Sequence, residues 1–147
     1  MRILGLDYGE NRIGVAVSDE LGFTAQGLET YTRRGRRADL NYLAAKAGSY
    51  GVELIVVGLP LNMNGSRGPA VEAAEGFGRA LSQRAGLPVA FVDERLTTTA
   101  AERELKSLDM SRRRRKMVID RTAAAFILQV YLDRKQDRAS APAEREK

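Results

Sequence analysis

The sequence predicts an α/β fold: a five-stranded mixed sheet, an antiparallel meander followed by parallel strands, with helices on both faces. Two observations predict it. Residues 3–19 read ILGLDYGENRIGVAVSD, two apolar runs of strand length joined by Gly9, Glu10 and Asn11. Glycine and asparagine tolerate positive φ, so that short connection predicts a hairpin turn. From Arg36 onward, helical spacing alternates with short β-branched runs. Such alternation builds parallel strands with crossover helices.

The elements follow in order. Residues 23–30 form the third strand, weakened by Gly27, and TRRGRR at 32–37 is a basic connector. Leu40, Leu43, Ala44 and Ala47 recur at helical spacing, so a helix runs from Arg36 to about Tyr50 and stops at Gly51. LIVVG at 54–58 suits a strand buried on both faces. LPLNMNGSRGP at 59–69 is a turn-rich loop, and Pro69 opens a helix that ends near Ala85, before Gly86. Residues 89–92 are another buried strand, which ends in Asp93-Glu94-Arg95. Thr99 and Glu102 form a capping box for a helix to about Leu108, and a last helix covers roughly 116–133. Residues 1–134 are thus read as one domain, and the polar segment 135–147 as a disordered tail.

Composition narrows the chemistry. The chain has no cysteine and no histidine, which removes disulfides, thiol nucleophiles, zinc fingers and His-based catalysis. Catalysis here must use carboxylates, hydroxyls, Lys or a metal held by oxygen, which favours Mg²⁺ or Mn²⁺. No apolar run reaches membrane-spanning length and no secretion signal is evident, so a cytoplasmic protein is expected. Lys and Arg total 24 against 19 Asp and Glu, and the excess points to a polyanionic partner such as nucleic acid. Arg dominates the basic residues, and its planar fork suits phosphate.

Three acids stand out. Asp7 lies in a strand of Ile, Leu and Gly, where an ionised carboxylate is costly to bury without a partner. Taken alone it reads as a strand-end acid making turn hydrogen bonds. Glu94 follows the last strand, with Asp93 as its substitute because successive side chains alternate. Asp120 shares a helical face with Ala123, Ala124, Ile127 and Tyr131, although a first-turn acid favoured by the helix dipole is its bland reading. Asp7, the 59–69 loop and Asp93–Arg95 all fall at carboxyl ends of strands, where ligands of such sheets bind.

These residues resemble a known family. ILGLDYGENRIGVAVSD, GLPLNMNGS, DERLTT and DRTAAAFILQVYLD, in this order, look like the YqgF/RuvX family, over residue 2 to about 133. The resemblance implies a ribonuclease H-like fold related to the resolvase RuvC. It also implies a nuclease that processes the 5′ end of precursor 16S ribosomal RNA, or a Holliday junction resolvase. By the same resemblance the family's acids fall on Asp7, Glu94 and Asp120. The family turn usually reads Gly-x-Lys-Arg, whereas this chain has Gly9-Glu10-Asn11-Arg12, and Asn64 stands where Asp is common.

The reading that results is a metal-dependent hydrolase of phosphodiester bonds. Two divalent ions about 3.5–4 Å apart activate water and neutralise phosphate without histidine. Asp7 would bridge them, Glu94 and Asp120 would each complete one shell, and Asp93 would orient a ligand or Arg95. Arg12, Asn62, Asn64, Ser66, Arg67, Arg95, Thr97 and Thr98 are candidate contacts to nucleic acid. So are Arg112, Arg113, Arg114 and Arg115, and two basic clusters, here and at 33–37, favour backbone binding over a solvated loop. Precursor rRNA is the first candidate substrate and branched DNA the second, for a monomer or a homodimer. A non-catalytic RNA-binding module is a rival from another class. A sugar-kinase or actin-like ATPase is a further one, but it needs a second lobe that 147 residues do not provide.

Overall fold

Apolar runs at 3–6, 13–17 and 54–57 build the middle of the sheet in the structure, a computed structural model that describes residues 1–95 and 123–135. The elements are β1 (Ile3–Tyr8), β2 (Arg12–Ser18), β3 (Ala25–Thr32), α1 (Arg36–Ser49), β4 (Leu54–Leu59), α2 (Pro69–Ala85) and β5 (Val89–Asp93). A further helix covers 123–135. The strand order is β3-β2-β1-β4-β5, with antiparallel pairing across β3-β2-β1 and parallel pairing across β1-β4-β5. This is the expected mixed sheet.

Alternation along the strands divides the core in two. On one face Leu4, Leu6, Val15 and Val57 pack under Leu43 of α1 and Phe77 of α2. On the other Ile3, Ala16, Val56 and Val92 pack under Ala124, Ile127 and Leu128 of helix 123–135. Helices therefore cover both faces.

The helix punctuation is as read from sequence. Pro69 opens α2, and Gly86 closes it in the left-handed region at φ 69°, its N–H bonded to the Ser82 carbonyl. The third strand begins two residues later than expected. The Asp19 carboxylate accepts from the N–H groups of Phe23 (2.7 Å) and Thr24 (3.0 Å) and holds them in a turn. Gly27 sits at a bulge, where pairing shifts between Val15 and Ala16. Gly9 serves its turn differently from the expectation. Its φ is not positive; instead a Cβ there would lie 2.7 Å from the Arg12 carbonyl oxygen, so glycine is needed for close approach. Helix 123–135 includes Lys135, the first residue of the expected tail. The expected helix at 99–108, the start of the last helix and the rest of the tail lie outside the described residues. Among the described residues no helix is long and apolar enough to cross a membrane.

Candidate active site

Asp7 is the last inward position of β1 on the face that meets helix 123–135. Ile3 and Gly5 precede it at the two-residue period, and a Cβ on Gly5 would lie 2.8 Å from Leu128 Cβ. The central position of β1, with a strand on each side, fixes that side chain better than a loop would. Three glycines make the room around it. Gly14 pairs directly with Asp7, and its missing Cβ would stand 3.4 Å from Asp7 Cβ and 3.5 Å from Ala124 Cβ. Gly58, one step beyond the Leu6–Val57 pair, would place a Cβ 2.7 Å from Glu94 Cγ. Over that bare backbone the Glu94 side chain reaches back to Asp7.

Glu94, not Asp93, makes this contact. Val92 pairs with Gly58 and points to the helix 123–135 face, so two residues on Glu94 points the same way. Burial pushes the Glu94 carboxyl up to about 8. The Asp7 charge and a hydrogen bond to Asp7 push in the same direction, and Asp93 adds a little. Two carboxylates sharing one proton are an arrangement that a cation relieves.

Asp93 faces away and is already satisfied. Its carboxylate accepts from Arg95 Nη2 at 2.6 Å and from Arg95 Nε at 3.0 Å, and these bonds above all hold it below the usual carboxylate range. Arg95 Nη1 also donates to the Met63 carbonyl at 3.2 Å. The guanidinium thus ties the strand end beside Glu94 to the 59–69 loop. That loop closes on itself: Asn62 Nδ2 donates to Ser66 Oγ and Asn64 Oδ1 accepts from the Ser66 N–H, each at 2.9 Å. Its side chains lie at the same end of the sheet as the acids, since the loop leaves the carboxyl end of β4. Arg67 is engaged by Glu72 at 3.1 Å and Glu75 at 2.7 Å, so acids of α2 compete with any phosphate for it. Arg12 is exposed at the start of β2.

Asp120, Thr97, Thr98 and Arg112, Arg113, Arg114 and Arg115 lie outside the described residues. Among the described residues no group of three acids converges, and the pair Asp7–Glu94 is what the fold assembles. The donor set is nonetheless that of a hard cation, oxygen only and rich in negative charge. The alanines after Asp120 do what their spacing suggested. The Ala124 carbonyl oxygen lies 3.2 Å from where a Gly5 Cβ would stand, so this helix rides close on the sheet.

Sequence reasoning missed a second acid, Asp39. It is fully buried, on the opposite face, and bonded to Tyr31, Arg33 and Arg34. The signal was present: Asp39 shares a helical face with Leu43 and Ala47, at offsets of four and eight. It also removes Arg33 from the basic cluster at 33–37, because that guanidinium is already paired.

A family model described as RuvX, Holliday junction resolvase, matches residues 1–134. A protein of Moorella thermoacetica named "Putative pre-16S rRNA nuclease" is 60% identical over 134 residues, covering 91% of this chain and 96% of the relative. One of the same name from Geobacillus kaustophilus is 56% identical over 138 residues, covering 92% and 100%. Among solved structures, T. thermophilus RuvC in complex with Holliday junction substrate aligns with TM-score 0.57 at 18% identity, over 92% of this chain and 96% of that one. The fowlpox virus Holliday junction resolvase aligns with TM-score 0.53 at 13% identity, over 91% and 99%. At such identities the likeness concerns the fold, which is ribonuclease H-like.

Proposed function

The chain belongs to the RuvX family, and from that premise we propose that it is a metal-dependent nuclease whose centre is Asp7, Glu94 and Asp120. The observation that carries this reading is the Asp7–Glu94 pair, two carboxyl groups held together at the carboxyl ends of the parallel strands β1 and β5. Asp7 and Glu94 would hold Mg²⁺ or Mn²⁺, with Asp120 completing the donor set. A divalent cation bound there supplies charge neutralisation on the scissile phosphate and acidifies a water at neutral pH. The chain's own groups do the rest. Asp7 fixes the position of the centre on a rigid strand. Asp93 keeps the Arg95 fork oriented beside Glu94 and anchored to the loop at Met63. Asn62, Asn64 and Ser66 present amide and hydroxyl groups at that end of the sheet, for a sugar-phosphate chain. Arg12, Thr97, Thr98 and Arg112, Arg113, Arg114 and Arg115 extend the contact surface, in a cytoplasmic setting.

The substrate proposed is precursor 16S rRNA, cut at its 5′ end; precursor 16S rRNA is the substrate in the names of relatives that share half or more of the sequence. A second reading, resolution of four-way DNA junctions by a dimer, is favoured by the family description. Cleavage of labelled precursor rRNA and of a four-way junction, side by side with Mg²⁺, Mn²⁺ or EDTA, tests both. Metal-dependent cutting of the RNA supports the first reading, and cutting of the junction the second. If neither is cut and binding is retained, the protein is an RNA-binding module.

A further inference from the structure

We propose that Arg33, backed by the buried Asp39, is a positioning residue that holds the β1–β2 turn and thereby aims Asp7; the proposal rests on the nuclease reading above. The turn is gripped from several sides. Arg33 Nη1 donates to the carbonyls of Gly9 at 3.2 Å and Glu10 at 3.3 Å. The Arg33 backbone N–H donates to the Asn11 carbonyl at 2.9 Å. The guanidinium carbon stands 4.6 Å over the Tyr8 ring, which in turn packs on Phe77 at 4.6 Å between centroids. Tyr8 is the peptide neighbour of Asp7 and points to the opposite face, so clamping its ring fixes the strand end from behind.

Asp39 fixes the clamp. Its carboxylate accepts from Arg33 Nε, Tyr31 Oη and the Arg34 N–H, each at 2.9 Å, with no exposure to water. One fork therefore joins a fully satisfied buried acid to two carbonyls of the turn that follows the candidate bridging ligand. A purely stabilising role accounts poorly for this design. Packed apolar residues often replace an ion pair of this kind at little or no loss of stability, so holding α1 on the sheet does not by itself call for one. Only a planar guanidinium bonds the acid and both carbonyls at once, and a Lys cannot.

Arg33→Lys and Arg33→Gln, compared with wild type, test this by amide hydrogen exchange of the metal-free proteins and by cleavage kinetics on precursor rRNA. The expected result is faster exchange confined to the peptide spanning the β1–β2 turn, with kcat lowered roughly tenfold and KM unchanged. If Arg33→Gln is too unstable to purify, Arg33→Lys, which keeps a cation beside Asp39, decides alone. Unchanged turn exchange with unchanged kcat would overturn the proposal and leave the pair a stabilising one. Raised KM with unchanged kcat and a flatter salt dependence would also overturn it, because Arg33 would then be touching nucleic acid. A wild type that cuts nothing strikes the nuclease reading instead, and the exchange measurement still decides whether the clamp exists.

Discussion

Asp39 is fully buried and Glu94 half-buried, on opposite faces of one sheet, and their surroundings treat them in opposite ways. Burial alone would raise both carboxyls. At Asp39 that effect is outweighed by the Arg34 N–H, the Arg33 guanidinium and the Tyr31 hydroxyl, and the acid is held below its usual range. At Glu94 the nearest groups are Asp7 and Asp93, and they push the same way as burial, up to about 8. One corner has its partners built in. At the other, an acid faces a second acid across a bare glycine, the arrangement that we propose grips a cation. On that difference rests our proposal that Asp39 serves the fold and Glu94 the chemistry.

The largest expected effect breaks the pair. Asp7→Asn should reduce cleavage to background, and in EDTA it should melt at or above wild type, because the charge that opposes ionisation of Glu94 is gone. Mg²⁺ or Mn²⁺ should raise the melting temperature of wild type, by a stabilisation of about 2.7 kcal/mol at a hundredfold excess over Kd. The variant should respond little. A wild type indifferent to divalent ions at matched ionic strength would remove the metal centre from the proposal.

Next in size is the other corner. Asp39→Ala leaves the half-buried Arg33 without its counter-charge and the Tyr31 hydroxyl without its acceptor, and should cost about 3 kcal/mol in urea denaturation. The pH dependence has a definite sign. A carboxyl with a lowered folded pKa binds fewer protons folded than unfolded just below its ordinary value. Its stabilisation is therefore present above about pH 4 and is lost as pH falls through the folded value. The acid limb of wild type should be steeper than that of Asp39→Asn. Parallel limbs would mean that Asp39 titrates alike in the folded and unfolded states.

These two corners differed in how far the sequence disclosed them. Asp7 was visible because one polar residue interrupts a strand of Ile, Leu and Gly; alternation said only that Asp93 and Glu94 point apart, and it is the structure that puts Glu94 beside Asp7. The helix ends at Pro69 and Gly86 were legible from punctuation alone. Asp39 obeyed the same periodicity test that singled out Asp120, but it sits among RRADLN, a polar stretch in which one more acid looks solvated. Its partners come from the end of β3 and the connector before α1, and they meet it only because the chain reverses between the strand and the helix. The Arg67 pairing was hidden for the same reason, since Glu72 and Glu75 come within its reach only once α2 is formed. The start of β3 was misplaced because the Asp19 side chain, not strand propensity, decides where the turn ends.

The smallest effects should come from the glycines, and they separate the two acids of the pair from each other. Gly14 and Gly58 both sit in the sheet with φ outside the positive region, so backbone strain does not enter for either. An alanine at 14 would meet Asp7 Cβ at 3.4 Å and Ala124 Cβ at 3.5 Å, ordinary contacts. Gly14→Ala should be neutral or gain about 0.4–1 kcal/mol from a stiffer unfolded chain, with cleavage kept. An alanine at 58 would stand 2.7 Å from both Glu94 Cγ and Ile127 Cδ1, and 3.0 Å from Glu94 Cδ. The isoleucine tip can swing aside at modest cost. The glutamate cannot move without leaving Asp7. Gly58→Ala should therefore lose about 1–3 kcal/mol, as overpacked cores do. Its loss of cleavage per folded molecule should be out of proportion to that. Denaturation curves and single-turnover rates for the two variants decide the matter. Equal losses of activity at 14 and 58 would show that the bare backbone under Glu94 serves helix packing and not the carboxylate pair.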